Sequence, residues 1–186
     1  LRAPLPWTIG LFVWPGFVYR GEPTPYDVDA WPSHSSYFGI LDLASLPKDR
    51  YWLYRSQWNR ESPTLHVLPH WTWPGREGEK VPVVCYTSYP MAELFVNGVS
   101  QGVARFDPSD LLRRYRLVWP DVIYEPGEIE VVAYDEKDYE MDRVSVRTAG
   151  APDGIKLSVD RKVIDADGLD LAYVTVSIVD ADGNLC

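Results

Sequence analysis

Cysteine and histidine are scarce in this chain of 186 residues, two of the first and three of the second, and those present do not combine into a site. Cys85 and Cys186 lie far apart, the second at the last position, so no disulfide framework or redox motif is legible. His66 and His70 in "HVLPH" stand four residues apart, but Pro69 between them rules out the helix that would bring both to one face. With His34 they read as surface or hydrogen-bonded side chains, and neither a metal nor a cofactor is expected. Positive charge is also short: 18 Lys and Arg against 27 Asp and Glu give a net charge of −9 and a pI near 4.8. That balance argues against a nucleic-acid partner, whose binders gather basic side chains on one face. The one basic run, "LLRRYR", is short and alternates, which predicts a solvated strand edge. No stretch approaches the roughly 18 apolar residues that cross a bilayer, so no membrane span is expected. The start, "LRAPLPWTIG", lacks the charged and long apolar regions of a signal peptide and reads as a cut through a longer chain.

Aromatic residues, by contrast, make up 13% of the chain and include eight Trp, more than a core of this size needs. Each Trp has two readings, packing in a core or stacking on a sugar ring.

Three zones follow one another. In residues 1 to about 60, "TIGLFVW" is a continuous apolar run of the kind found in a strand buried on both faces. A long loop rich in Pro, Ser and Tyr follows. "SLPKDRYWLYRSQWN" then predicts a helix, with Ser45 as N-cap, Pro47 in the first turn and Asp49 where a negative charge suits the dipole. Tyr51, Tyr54 and Trp58 recur at helical spacing and predict a buried aromatic stripe. Between 64 and 148 the period becomes two: "LHVLPHWTW", "VPVVCYT", "AELFVNG", "SQGVARF", "RRYRLVW", "GEIEVVAYD" and "DRVSVRT" are short β-runs parted by turn residues. Their number and spacing predict a mainly β fold, an immunoglobulin-like two-sheet β-sandwich with no inter-sheet disulfide. Asn97-Gly98 is the strongest hairpin signal, because both central positions of that turn need positive φ; "YEPGE" marks another turn. After the connector "RTAGAPDGI", "IKLSVDRKVI" and "AYVTVSIVDADGNL" alternate as strands, with a further hairpin turn at Asp182-Gly183. Two or three strands are too few to bury a core alone, so residues 153–186 read as the start of a second β-sandwich.

A strand, a loop, a helix and then tandem sandwiches is the order expected where a (β/α)8 barrel, the TIM barrel, hands over to β-domains. "FVWPGFVYRGEPTPY", "WPSHSSYFGILDLASLPKDRYWLYRSQW" and "LHVLPHWTWPGREGEKVPVVCYTSYPMAELFVNGVSQG" resemble glycoside hydrolase family 2, in particular its bacterial β-galactosidase-like branch, along essentially the whole chain. The resemblance implies that residues 1–60 are the last β/α unit of a TIM barrel, 64–148 an immunoglobulin-like sandwich, and 153–186 a truncated further one. It implies a hydrolase of terminal β-D-galactosides or related glycans, in carbohydrate metabolism, with a carbohydrate substrate. It is compatible with a homo-oligomer and with a periplasmic or secreted bacterial location.

In that family the eighth barrel strand ends in a Trp that walls the sugar subsite, and Trp14 matches it. Barrel sites are built at the C-terminal ends of the strands, so aromatic surface there faces ligand. Where the family more often shows Thr and Asp, this chain has Pro15 and Val18. Tyr19, Arg20 and Glu22 are the further substrate-binding candidates, with Tyr26, Trp31 and His34 along the rim. Arg20 and Glu22 have an alternative role, pairing with each other to brace the loop. Catalytic residues are not expected within this chain. Retaining glycosidases need two carboxyl groups about 5 Å apart, and the family's two glutamates, at the ends of the fourth and seventh barrel strands, would both precede residue 1. Glu22, Asp27 and Asp29 have no fixed scaffold to replace them, and "DEKDYEMD" reads as a solvated acidic turn. Two alternatives are a carbohydrate-binding module with "HWTWPGREGE" as its platform, and a structural immunoglobulin-like array. In the second, alternation would set Trp71 and Trp73 on one strand face, packed against the preceding helix.

Overall fold

The computed structural model describes residues 7, 10, 12–20 and 35–186. The fold is mainly β, with one helix, α1 (Asp49–Trp58), and nine strands among the described residues. In order these are β1 (Leu65–Leu68), β2 (Val83–Thr87), β3 (Met91–Val96), β4 (Val99–Arg105), β5 (Leu117–Trp119), β6 (Glu128–Tyr134), β7 (Glu140–Arg147), β8 (Gly154–Val159) and β9 (Val174–Val179). Each of the seven period-two runs thus contributes a strand. They assemble antiparallel into a three-stranded sheet, β1-β2-β5, and a four-stranded sheet, β4-β3-β6-β7. Alternation turns Val83 and Cys85, Ala92 and Leu94, and Ile129 and Val131 into the core between them. On the outer face Arg147 stands opposite Glu128 at 3.0 Å and Arg143 lies diagonally from Glu130 at 2.7 Å. These exposed pairs add little stability but keep that face wet. Burial pushes the Cys85 thiol up to about 12, so it behaves as a small apolar core residue, and both cysteines are free.

The turn chemistry holds the sheet together at one end. Asn97 and Gly98 take φ of 48° and 79°, as the hairpin requires. The Asn97 side chain also accepts the Glu128 N–H at 2.8 Å and donates to the Pro126 carbonyl at 3.2 Å. Gly127, at φ 137°, lies so close to that side chain that a Cβ would strike it. The "YEPGE" turn and the hairpin turn are therefore interlocked.

Three local expectations are corrected. The run 111–116 is turn and bend rather than a strand edge, and β5 begins at Leu117. There the loop bonds to itself: Arg114 Nε donates to the Pro108 carbonyl at 3.0 Å and Arg116 Nε to that of Leu112 at 2.7 Å. Secondly, α1 starts at Asp49, with Lys48 at the cap position, and Ser45 is not the cap. The Asp42 carboxylate accepts the N–H groups of Ala44 and Leu46, both at 2.8 Å, and holds Ser45 in a turn at φ 67°. Pro47 accordingly precedes the helix. The aromatic stripe is not buried either, since Tyr51 and Tyr54 are half-buried and Trp58 is exposed, stacked on Tyr54. Other residues seat the helix on the sandwich. Trp52 stacks on His66 at 4.9 Å, Asp49 meets His66 Nε2 at 3.0 Å, and Arg55 donates to Thr64 Oγ1 at 2.8 Å.

Thirdly, Trp71 and Trp73 lie beyond the end of β1, which stops before Pro69 because proline offers no ladder N–H. Trp71 turns into the sandwich core, fully buried, edge-on to Tyr124 at 5.1 Å. Its indole N–H donates to the Glu125 carbonyl at 2.9 Å. It packs within the sandwich and not against α1.

Strands β8 and β9 pair antiparallel as a two-stranded ribbon. Beyond β9 the chain reverses around Asp180, and Val179 bridges Leu185, so the expected hairpin forms. The Asp180 carboxylate accepts the N–H of Gly150 at 2.7 Å and that of Asn184 at 2.8 Å, tying the connector after β7 to the ribbon. The Gly150 bond, then the Asn184 side chain, lower its pKa to about 2. A carboxyl whose folded pKa is depressed stabilises above its ordinary value, near 3.9, and that contribution is lost as pH falls through the folded pKa. The Gly150 amide proton shift should therefore titrate with a midpoint near pH 2. A midpoint of about 4 would mean that the bond is not formed in solution.

Candidate functional site

The backbone that carries Trp14 is clamped by a second segment. Residues 15–19 run beside 35–41. Leu41 N–H donates to the Gly16 carbonyl, Val18 N–H to that of Leu41 and Ser36 N–H to that of Tyr19, each at 2.9 Å. Ser36 Oγ accepts the Tyr19 N–H at 3.3 Å, and Phe17 bridges Leu41 in the parallel sense. Val18, Ser35 and Ser36 are buried, whereas Trp14 is 77% exposed and Phe12 and Phe17 are exposed as well. An indole held on a paired backbone is suited to stacking on an apolar sugar face. Tyr19 is half-buried and Arg20 exposed. Glu22, Tyr26, Asp27, Asp29, Trp31 and His34 lie outside the described residues, and so does any Arg20–Glu22 pair. Sequence reading missed Ser36 and Gly39 in the clamp; the available signal was the glycine inside "SSYFGI", where an apolar run approaches another backbone closely.

A glycosidase acid needs a raised pKa. The displaced carboxyls, Asp107, Glu128, Asp160, Asp167 and Asp180, are all lowered by hydrogen bonds. In the acidic turn, Asp135 accepts the N–H groups of Lys137 and Tyr139 at 2.8 and 3.0 Å, a structural use in solvent. Among the described residues no group of His, Cys, Asp and Glu could hold a metal ion, and no helix is long and apolar enough to cross a membrane.

The sandwich offers no aromatic platform in "HWTWPGREGE". Trp71 is buried. The Trp73 ring already carries His70 stacked at 4.2 Å and the Arg76 guanidinium at 5.1 Å, and its indole N–H goes to the His70 carbonyl. An open groove of about 650 Å³ runs along β4 and β5, with Arg105, Asp107, Arg113 and Asp121 on its walls. Its Trp119 is buried with the indole N–H given to the Gly102 carbonyl, leaving no ring face for a sugar.

Residues 78–141 match a family model described as a domain of unknown function, DUF4982. Over 178 residues, 95% of this chain and 20% of the relative, the sequence is 46% identical to "Beta-galactosidase BoGH2A" of Bacteroides ovatus. A solved glycosyl hydrolase family 2 member from Bacteroides cellulosilyticus superposes with a TM-score of 0.80 at 30% identity, covering 96% of this chain and 26% of that one. A β-glucuronidase from glycoside hydrolase family 2 superposes with a TM-score of 0.67 at 26% identity, covering 82% and 15%. The chain thus spans about a fifth of the length of the relative it matches at 46% identity. Long contiguous identity and a shared mainly β fold agree: the relatives and solved structures that this chain resembles include members of glycoside hydrolase family 2.

Proposed function

We propose that this chain is a segment of a retaining glycoside hydrolase acting on terminal β-D-galactosides or related glycans, and that its part in the reaction is to wall the sugar subsite with Trp14. Residues 1–60 would close a (β/α)8 barrel, 64–148 form the immunoglobulin-like sandwich that supports it, and 153–186 begin a further one. Tyr19, Arg20 and Glu22 would line the rim and meet sugar hydroxyls. The acid/base and nucleophile, about 5 Å apart in a double displacement, would come from sequence before residue 1, in a periplasmic or secreted enzyme.

The observation that carries this reading is the 46% identity along 95% of the chain to a protein named a β-galactosidase. Binding energy from an aromatic wall raises the rate only if it grows as the ring flattens toward the oxocarbenium-like transition state. A ring held on clamped backbone loses little entropy in doing so. The test is hydrolysis of aryl β-galactoside and aryl β-glucuronide by the purified 186-residue chain and by the intact protein. The chain alone should show no turnover, and the intact protein should prefer the galactoside. Turnover by the chain that survives purification and falls on mutating one of its own residues would overturn the assignment of the chemistry. A glucuronide preference would overturn the substrate class alone.

A further inference from the structure

We propose that Gly39 is a positioning residue for the Trp14 wall, setting the distance at which segment 35–41 lies on the backbone leading out of Trp14. The proposal rests on the reading that Trp14 meets the sugar. Gly39 does not have a left-handed φ, so conformational freedom does not explain it. Space does: a Cβ there would collide with Val18 N, Phe17 C and Leu41 O, all three of them backbone atoms that cannot swing aside. Gly16, on the facing segment, has open space where its Cβ would be, so the tight approach is local to Gly39.

The clamp cannot simply back away, because its far side is tied down. Lys48 N–H donates to the Ile40 carbonyl at 3.1 Å, and Lys48 Nζ to the Tyr37 carbonyl at 3.0 Å. Lys48 caps α1, which His66 and Thr64 hold on the sandwich. On the near side Ile40 N–H reaches the Pro15 carbonyl at 3.4 Å, one residue from Trp14. A methyl group at position 39 must therefore displace residues 15–18, and Trp14 moves with them. Displacements of about 1 Å in a positioning element are enough to cost rate heavily.

The test compares Gly39→Ala, Trp14→Ala and the double variant in the intact enzyme, with kcat and KM measured separately and thermal unfolding recorded. Gly39→Ala should lower kcat/KM by about 3- to 30-fold, and the double variant should be no worse than Trp14→Ala alone within about 2-fold. A Gly39→Ala enzyme with unchanged kinetics, or losses that multiply in the double variant, would overturn the positioning role while leaving the subsite reading intact. A fully active Trp14→Ala enzyme would instead sink the subsite reading and this inference with it. Should Gly39→Ala fail to fold, Ser36→Ala takes its place. It removes the Oγ acceptor of Tyr19 N–H without adding an atom. It should cost about 2- to 5-fold, again only while Trp14 is present, and full activity would overturn the proposal.

Discussion

In the intact enzyme, Trp14→Ala should lower kcat/KM by a factor on the order of 10 to 100. Loss of an aromatic wall removes roughly 1–3 kcal/mol of stacking and orientation, which acts directly on the barrier. Folding should survive, because the backbone bonds of residues 15–19 to the clamp do not involve the ring. Kinetics and melting measured on one purified variant separate the two possible outcomes. Lost activity at an unchanged melting temperature supports a wall. A lowered melting temperature with intact activity in the folded fraction would make Trp14 a packing residue.

Trp71→Ala should do the reverse. Its side chain is fully buried against Tyr124 and donates to the Glu125 carbonyl, while its own carbonyl accepts Thr148 Oγ1. The substitution opens a large cavity and leaves an acceptor without its donor, a loss of about 3–5 kcal/mol. For a domain of this size that lowers the melting temperature by more than about 10 °C. A change of less than about 1 kcal/mol in denaturant unfolding would contradict its place in the core.

These two tryptophans also show what sequence alone could give. The seven sandwich strands were legible because alternation and turn dipeptides are local signals: Asn97-Gly98 needs no knowledge of its neighbours to demand its turn. Trp71 was misread because alternation continues past Pro69, and only the ladder's need for N–H donors ends β1 there. The start of α1 was misread for a related reason. Ser45 and Pro47 form a plausible cap by themselves, but Asp42 competes for the N–H groups of Ala44 and Leu46. The stripe of half-buried Tyr54 and exposed Trp58 marks the limit of periodicity arguments, which identify a face without saying what covers it. Trp14 is a candidate through the family resemblance alone, whereas the close approach at Gly39 joins two backbones distant in sequence.

The most direct measurement is to trap the covalent glycosyl-enzyme. Incubating the intact protein with an activated 2-deoxy-2-fluoro-β-galactoside and mapping the labelled peptide identifies the nucleophile of a retaining reaction. The label should fall on a glutamate outside these 186 residues, with slower labelling in Trp14→Ala. A labelled carboxylate inside this chain would contradict the assignment of the chain as subsite wall and support.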